Sequence, residues 1–149
     1  MYTSMYKPLL ATACAALLLA ACGDRTQAVV AAASPDTPQP ARNFMLFFGN
    51  DHANVTPESE GVIQEAVRAA RANPNARITV SGNADTYGDS AYNRALSQKR
   101  AEAVRDALVA DGINPATIAV AGHGEDALLV STKDGVREPK NRRVEIVVQ

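Results

Sequence analysis

An arginine in the middle of a predicted apolar helix face is the strongest constraint that this sequence places on its fold. The segment Ser90–Ala110 has helical periodicity, with Leu96 and Val104 on its apolar stripe. Arg100 lies four residues after the first and four before the second, so it points to the same side. A guanidinium that faces a core is costly unless its donors are paired. The fold must therefore bring acceptors to Arg100.

Polar residues near Arg100 in the sequence suggest what this arginine does. Asp85 follows an apolar run and is the carboxylate best placed by sequence to reach it. Asn93 lies seven residues before Arg100 and points the same way, as does Tyr92, which we predict to pack in the core. We predict that Asp85 and Arg100 form a site. In a simpler interpretation, they are a structural salt bridge that pins a loop to the helix.

The folded part is predicted to be an α/β sandwich of order β-α-β-α-β-β, with the helices packed on a mixed four-stranded sheet. Alternating or continuous apolar runs indicate the strands, and Thr56-Pro57 has the residues typical of a helix start. The predicted elements are a buried strand at Phe44–Phe48, a helix from Thr56-Pro57 to Asn73-Pro74, a strand at Arg77–Ser81, the helix Ser90–Ala110, and strands at Thr117–Val120 and Arg143–Val148.

Composition and motifs argue against several classes of function. The chain has 149 residues, enough for one domain and a tail, and its net charge of -1 disfavours nucleic-acid binding. His52 and His123 are isolated from other metal-ligand residues, so no metal site is predicted. The sequence has no serine in a nucleophile elbow and no phosphate-binding loop. We therefore expect a protein that is not an enzyme and needs no cofactor.

The N-terminus has the features of a targeting segment. Residues 1–21 contain one basic residue, Lys7, and an apolar run too short to span a membrane, which predicts a signal peptide. The run ends in Leu19-Ala20-Ala21-Cys22, which looks like a bacterial lipobox. Cleavage before Cys22 would make it the lipidated first residue, carrying acyl chains such as palmitate. Alternatively, an ordinary signal peptide is cut nearby and Cys22 has no role. Gly23, in place of an aspartate, favours the outer membrane.

Residues 22–42 are predicted to be the lipidated cysteine followed by a flexible linker. After Cys22 they are small or polar, with three prolines and almost no large apolar side chains. Such a segment cannot bury enough surface to offset the entropy lost on ordering. We therefore place the folded domain at residues 43–149.

Five motifs in the folded part occur in the order and at the spacing of a known family. They are Asp85-x-x-Gly88 followed by Asn93, Leu96-Ser97-x-x-Arg100-Ala101, Asp111-Gly112-Ile113, Gly122-x-Gly124-Glu125, and Asn141-Arg142-Arg143-Val144-Glu145. The chain thereby resembles the OmpA-like peptidoglycan-binding domain over about Phe44–Val148. The resemblance implies that Asp85 and Arg100 grip the free amino-acid end of diaminopimelate in the peptide stems of the cell wall. It also implies supporting or ligand contacts from Asn93 and Asp51.

The chemistry of the two charged residues suits that ligand. The free end of diaminopimelate is a zwitterion, so Asp85 can accept from its ammonium while the planar fork of Arg100 takes its carboxylate. One departure stands out, because the Gly-His-Thr-Asp usual in the family is here Gly82-Asn83-Ala84-Asp85. The missing threonine hydroxyl removes a possible hydrogen bond, so the affinity is expected to differ. We expect Arg142 and Arg143 to be structural and Tyr87 to lie at the rim.

Together these features predict a lipoprotein, anchored in the outer membrane through Cys22, whose periplasmic domain binds peptidoglycan and so attaches the membrane to the wall. The alternative is a Gram-negative envelope lipoprotein that binds periplasmic proteins and uses the Asp85–Arg100 pair only as a salt bridge.

Overall fold

The architecture follows the predicted β-α-β-α-β-β order, as seen in a computed structural model that describes residues 40–149. The predicted signal peptide (1–21), the lipidation site Cys22 and the linker (22–42, apart from its last three residues) lie outside the described residues. The elements are β1 (Arg42–Phe47), α1 (Pro57–Arg71), β2 (Ile78–Gly82), α2 (Ser90–Ala110), a short 3₁₀ helix (Pro115–Thr117) that was not predicted, β3 (Ile118–Gly122) and β4 (Arg143–Val148).

The four strands form one mixed sheet in the order β1-β4-β2-β3. Strand β4 is antiparallel to both of its neighbours, whereas β2 and β3 are parallel. In the register, Phe47 pairs with Arg143, and Gly82 pairs with both Val144 and Gly122. The C-terminal ends of β1, β2 and β3 and the N-terminal end of β4 therefore lie at the same end of the sheet. The predicted fold class is confirmed.

Both helices contribute to a single apolar core with the inward residues of the strands. Thr56 caps α1 with its side chain, and Pro57 occupies the first turn, as the sequence indicated. The core consists chiefly of Leu46, Ile63, Ala66, Val67, Ile78, Val80, Ala101, Val104, Leu108, Val144 and Ile146. In the described part of the chain, no helix is both long enough and apolar enough to cross a bilayer.

Two glycines allow α2 to lie almost directly on the strands. A Cβ atom on Gly82 would stand 2.0 Å from the carbonyl oxygen of Ser97, and one on Gly122 would stand 2.5 Å from the backbone nitrogen of Gln98. Neither position can hold a larger residue without displacing the helix. This close approach places Arg100, one turn further along α2, beside the end of the sheet where β1, β2 and β3 terminate.

Two details of the predicted core are wrong. Tyr92 is 52% exposed, because the first turn of α2 extends beyond the end of β2, where the core stops. Strand β1 is an edge strand rather than a fully buried one, with Met45 and Phe47 exposed on the face opposite the helices. Only the alternate side chains of β1 that face the helices contribute to the core.

Candidate functional site

The predicted site residues lie at the end of the sheet where β1, β2 and β3 terminate and β4 begins. Three connecting segments meet there: the β1–α1 loop (residues 48–56), the β2–α2 loop (83–89) and the long β3–β4 connection (123–142). The first carries Asp51, the second carries Asp85, and α2 supplies Asn93 and Arg100. The fold therefore brings the predicted residues into one region, although Asp85 and Arg100 do not form a salt bridge with each other.

Arg100 is fully buried, and its acceptors are backbone carbonyl groups. Its Nε donates to the His52 oxygen at 2.8 Å, and its Nη2 donates to the Gly49 oxygen at 2.9 Å. Its Nη1 donates to the Asn83 oxygen at 3.3 Å. The guanidinium carbon also lies 5.4 Å from the centroid of the Phe48 ring. Three of the five N–H donors of the side chain are thus used, and the β1–α1 loop covers the fork that a carboxylate would occupy.

Burial weakens the proton affinity of Arg100 but leaves it charged. Desolvation lowers the pKa of its guanidinium to about 10, and the positive charge of Arg142 acts in the same direction. The carboxylates of Asp85 and Asp51 oppose this shift, so both lie within electrostatic reach. Because the lowered pKa remains well above neutral pH, Arg100 is a buried cation under physiological conditions.

Asp85 pairs with Arg142 instead of Arg100. Its Oδ2 accepts from Nη1 of Arg142 at 2.9 Å and from the backbone N–H of Glu138 at 3.2 Å. The interpretation of Asp85 and Arg100 as a structural salt bridge is therefore wrong, because Arg142 occupies the carboxylate and backbone oxygens occupy Arg100. The predicted structural role of Arg142 fits this geometry, since its Nε also donates to the Phe48 oxygen at 3.2 Å.

The second carboxylate oxygen of Asp85 is not held in the way that Oδ2 is. Among the described residues, Oδ1 accepts no hydrogen bond. Asp85 as a whole is 4% exposed, so the carboxylate is nearly buried and is fixed through one of its two oxygens.

Asn93 ties the β2–α2 loop to the helix. Its Nδ2 lies 3.1 Å from the Asp85 carbonyl oxygen, 3.2 Å from the Tyr87 carbonyl oxygen and 2.9 Å from Oε2 of Glu125. The side chain is 3% exposed. Asn93 therefore fixes the backbone that carries Asp85, which is the loop-holding role considered from the sequence.

Asp51 lies in the loop that covers Arg100. It is exposed, and its φ of 54° places it in the left-handed region, which non-glycine residues rarely adopt. Its neighbours Gly49 and His52 supply the carbonyl groups bound by Arg100. The turn at Asp51 therefore aims two carbonyl oxygens at one guanidinium.

The residues that replace the usual His-Thr pair are enclosed. Ala84 is 2% exposed, and its N–H donates to the Gly124 oxygen at 2.7 Å. Asn83 is 1% exposed; its Nδ2 donates to the Ser81 oxygen at 3.3 Å, while its Oδ1 has no partner among the described residues. Thr86, which the sequence did not single out, instead supplies a hydroxyl on the other side of Asp85.

Thr86 organises the β3–β4 connection beside the site. Its Oγ1 lies 2.7 Å from the Lys133 oxygen and 3.1 Å from Oγ1 of Thr132, and it accepts from the Val136 N–H at 3.3 Å. Its backbone oxygen accepts from the Gly135 N–H at 2.8 Å. No local sequence pattern marks these contacts, which join residues about fifty positions apart. Within residues 40–149, no cluster of side chains is suited to hold a metal ion.

Comparison with known proteins identifies the class. A model of the OmpA family matches residues 47–142, well over half of the chain, and the chain belongs to that family.

Individual relatives agree with this assignment. The chain is 36% identical over 117 residues to an outer membrane protein of Gluconacetobacter diazotrophicus, a match covering 74% of this chain and 31% of that protein. It is 39% identical over 103 residues to the peptidoglycan-binding protein ArfA of Mycobacterium tuberculosis, covering 69% and 32%. The crystal structure of the peptidoglycan-associated lipoprotein from Burkholderia pseudomallei superposes with a TM-score of 0.66 at 32% identity, covering 71% of this chain and 90% of that one. The chain thus spans about a third of the length of the two curated relatives.

Proposed function

We propose that this protein binds peptidoglycan without catalysis, by gripping the free end of diaminopimelate in the peptide stems. The observation that carries the proposal is a nearly buried carboxylate, Asp85, with one oxygen that accepts no hydrogen bond among the described residues, at the same end of the sheet as a buried cation, Arg100. Relatives named for their association with peptidoglycan support peptidoglycan as the polymer that is bound. A zwitterionic amino-acid end needs one fixed acceptor and one fixed fork of donors.

Asp85 is ready to receive the ammonium. Arg142 and the Glu138 N–H hold Oδ2, so the carboxylate plane is fixed before the ligand arrives. The ammonium then donates to Oδ1, which replaces a water contact with a charge-assisted hydrogen bond. Such preorganisation reduces the ordering cost of binding.

Arg100 receives the carboxylate by exchanging partners. The oxygens of Gly49 and His52 now occupy the Nε–Nη2 edge of the guanidinium, in the arrangement that the two oxygens of a carboxylate would adopt. Movement of the β1–α1 loop releases this edge, and the ligand carboxylate replaces both carbonyl groups. The left-handed turn at Asp51 is a strained point from which such a movement can begin.

Binding to sacculi tests the proposal. The full protein, purified from cells in detergent, should co-sediment with purified sacculi, and free meso-diaminopimelate should compete. Asp85→Asn keeps the size of the side chain but removes the negative charge of the acceptor. Arg100→Lys keeps the positive charge but removes the planar fork of donors. Each should weaken binding about tenfold to a hundredfold, because a hydrogen bond to a charged group contributes roughly 1.5–3 kcal/mol.

Asp106→Asn is the matched control, because Asp106 is an exposed carboxylate on α2 whose one ion pair among residues 40–149 is with Arg105. Thermal unfolding should show that all three variants remain folded. Equal retention of wild-type protein, Asp85→Asn and Arg100→Lys by sacculi would contradict the proposal, as would a failure of diaminopimelate to compete.

We further propose that Cys22 is lipidated and anchors the domain to the outer membrane, with residues 22–42 as its linker. Support comes from the lipobox-like Leu19-Ala20-Ala21-Cys22 and from the similarity of the folded part to a peptidoglycan-associated lipoprotein. Labelled palmitate should be incorporated into wild-type protein. The labelled protein should fractionate with outer membranes. Cys22→Ser should abolish the label. Incorporation into Cys22→Ser, or none into wild type, would refute lipidation at Cys22.

A further inference from the structure

An exposed arginine stacked on a tyrosine ring stands beside the site and has no assigned role. The guanidinium carbon of Arg137 lies 3.9 Å from the centroid of the Tyr87 ring, well within cation–π distance. Tyr87 is 45% exposed, at the rim as predicted. Among the described residues, Arg137 forms no ion pair. The ring therefore positions a guanidinium that is exposed to solvent.

The position of Arg137 relative to the site is fixed by neighbouring contacts. The N–H of Glu138, the next residue, donates to Asp85 at 3.2 Å, and the N–H of Val136, the preceding residue, donates to Thr86 Oγ1 at 3.3 Å. Tyr87 belongs to the same loop as Asp85. The carboxylates of Asp51 and Asp85 contribute to raising the pKa of Arg137, after the larger effect of Tyr87, so they lie within electrostatic reach of it.

We infer that Arg137, positioned by Tyr87, is a second anion-binding residue that takes another carboxylate of the same peptide stem. This inference rests on the proposed function, because it assumes that a stem docks by its diaminopimelate end at Asp85 and Arg100. A peptide stem carries further carboxylates along its length, of which the free α-carboxylate of the isoglutamyl residue is one. A planar guanidinium held flat on a ring is preorganised for such a group. Arg137 would thus distinguish a free carboxylate from its amide.

The test uses three soluble probes and isothermal titration calorimetry on the full protein in detergent. The probes are meso-diaminopimelate, the tripeptide L-Ala-D-isoglutamyl-meso-diaminopimelate, and the same tripeptide with the isoglutamyl carboxylate amidated. Wild-type protein should bind the acidic tripeptide roughly threefold to tenfold more tightly than the amide. This ratio lies between the effect of an exposed ion pair and that of a charge-assisted hydrogen bond. Arg137→Gln should remove this preference while binding meso-diaminopimelate as tightly as wild type.

Two variants separate a specific contact from general effects. Tyr87→Leu keeps the charge of Arg137 but removes its platform, and it should reduce the preference for the acidic tripeptide. Lys140→Gln removes an exposed cation three residues from Arg137 and should leave the preference unchanged. Loss of the preference in Lys140→Gln would indicate nonspecific attraction and overturn the inference.

The remaining outcomes are equally decisive. Equal binding of the acidic and amidated tripeptides by wild-type protein would overturn the inference while leaving the proposed function intact, provided that meso-diaminopimelate binds and Asp85→Asn weakens its binding. A parallel loss of all three probes in Arg137→Gln would show that Arg137 only supports the loop. Failure of wild-type protein to bind meso-diaminopimelate would overturn the proposed function and this inference with it.

Discussion

Replacement of Gly82 by alanine should both destabilise the domain and displace the site. The added Cβ would stand 2.0 Å from the Ser97 carbonyl oxygen and 2.8 Å from its carbonyl carbon. Both are backbone atoms of α2, so no side-chain rotation can relieve the clash. Because nonbonded carbon contacts are optimal at about 3.5–4.0 Å, α2 must retreat from β2 by about 1.5 Å.

The energetic cost follows from that movement. Overpacking a core costs typically about 1–3 kcal/mol, and a backbone obstacle places Gly82→Ala at the upper end of this range. A loss of about 3 kcal/mol should lower the Tm of a domain of this size by roughly 10–20 °C. Arg100 follows Ser97 by three residues on the same helix, so affinity for diaminopimelate should also fall.

Urea denaturation and thermal unfolding would measure this effect against a matched glycine. Gly61 lies on an exposed part of α1, and a Cβ there would meet no atom within 4 Å. Gly61→Ala should raise stability by roughly 0.5–1 kcal/mol, because alanine loses less conformational freedom in a helix. If Gly82→Ala unfolds at the same urea concentration as wild type, the close approach of α2 to β2 is not a constraint and the reasoning is refuted.

Three further expectations concern the contacts around Asp85. Arg142→Gln leaves the buried carboxylate without its cation, and urea denaturation should show a loss of about 3 kcal/mol; no loss would mean that the pair is not buried in solution. Thr86→Val removes the hydroxyl that holds residues 132–136, so hydrogen exchange should accelerate in that segment and not in α1; uniform exchange would contradict its anchoring role. Asn93→Asp sets a carboxylate against Glu125 and two carbonyl oxygens, which raises the pKa of the new group in the folded state. Its stability deficit should therefore be largely absent below about pH 4 and grow as pH rises from there towards neutrality, and a deficit independent of pH would exclude this electrostatic cause.

The sequence predicted the fold well where local patterns determine it. The bounds of α2 and β4 agree with the prediction, because α2 has an amphipathic stripe and β4 has a pattern that alternates at first and is then apolar. The exposure of Tyr92 was missed, because periodicity shows which way a side chain points but not where the sheet beneath it ends. The edge position of β1 was missed for a similar reason, since strand order is set by pairing between distant segments.

The proximity of the candidate residues could be predicted from the sequence, but their hydrogen-bond partners could not. That Arg100 would need acceptors followed from its place on an apolar stripe. Those acceptors are backbone oxygens of Asn83 and, about fifty residues away, of Gly49 and His52, and a carbonyl group leaves no signature in the sequence. The partnership of Asp85 with Arg142 spans 57 positions, and any of several arginines could have filled that role. Such choices depend on tertiary geometry.

The pairing of β1 has a mechanical consequence. The chain enters this strand at Arg42, while the opposite end of the strand leads straight into the loop that covers Arg100. If the N-terminal segment is pulled while the opposite end of the sheet is held, the force acts along β1. Load would then be shared by the whole β1–β4 ladder at once, in shear, instead of peeling it open one bond at a time. A six-residue ladder loaded this way resists extension better than the same ladder unzipped from its end.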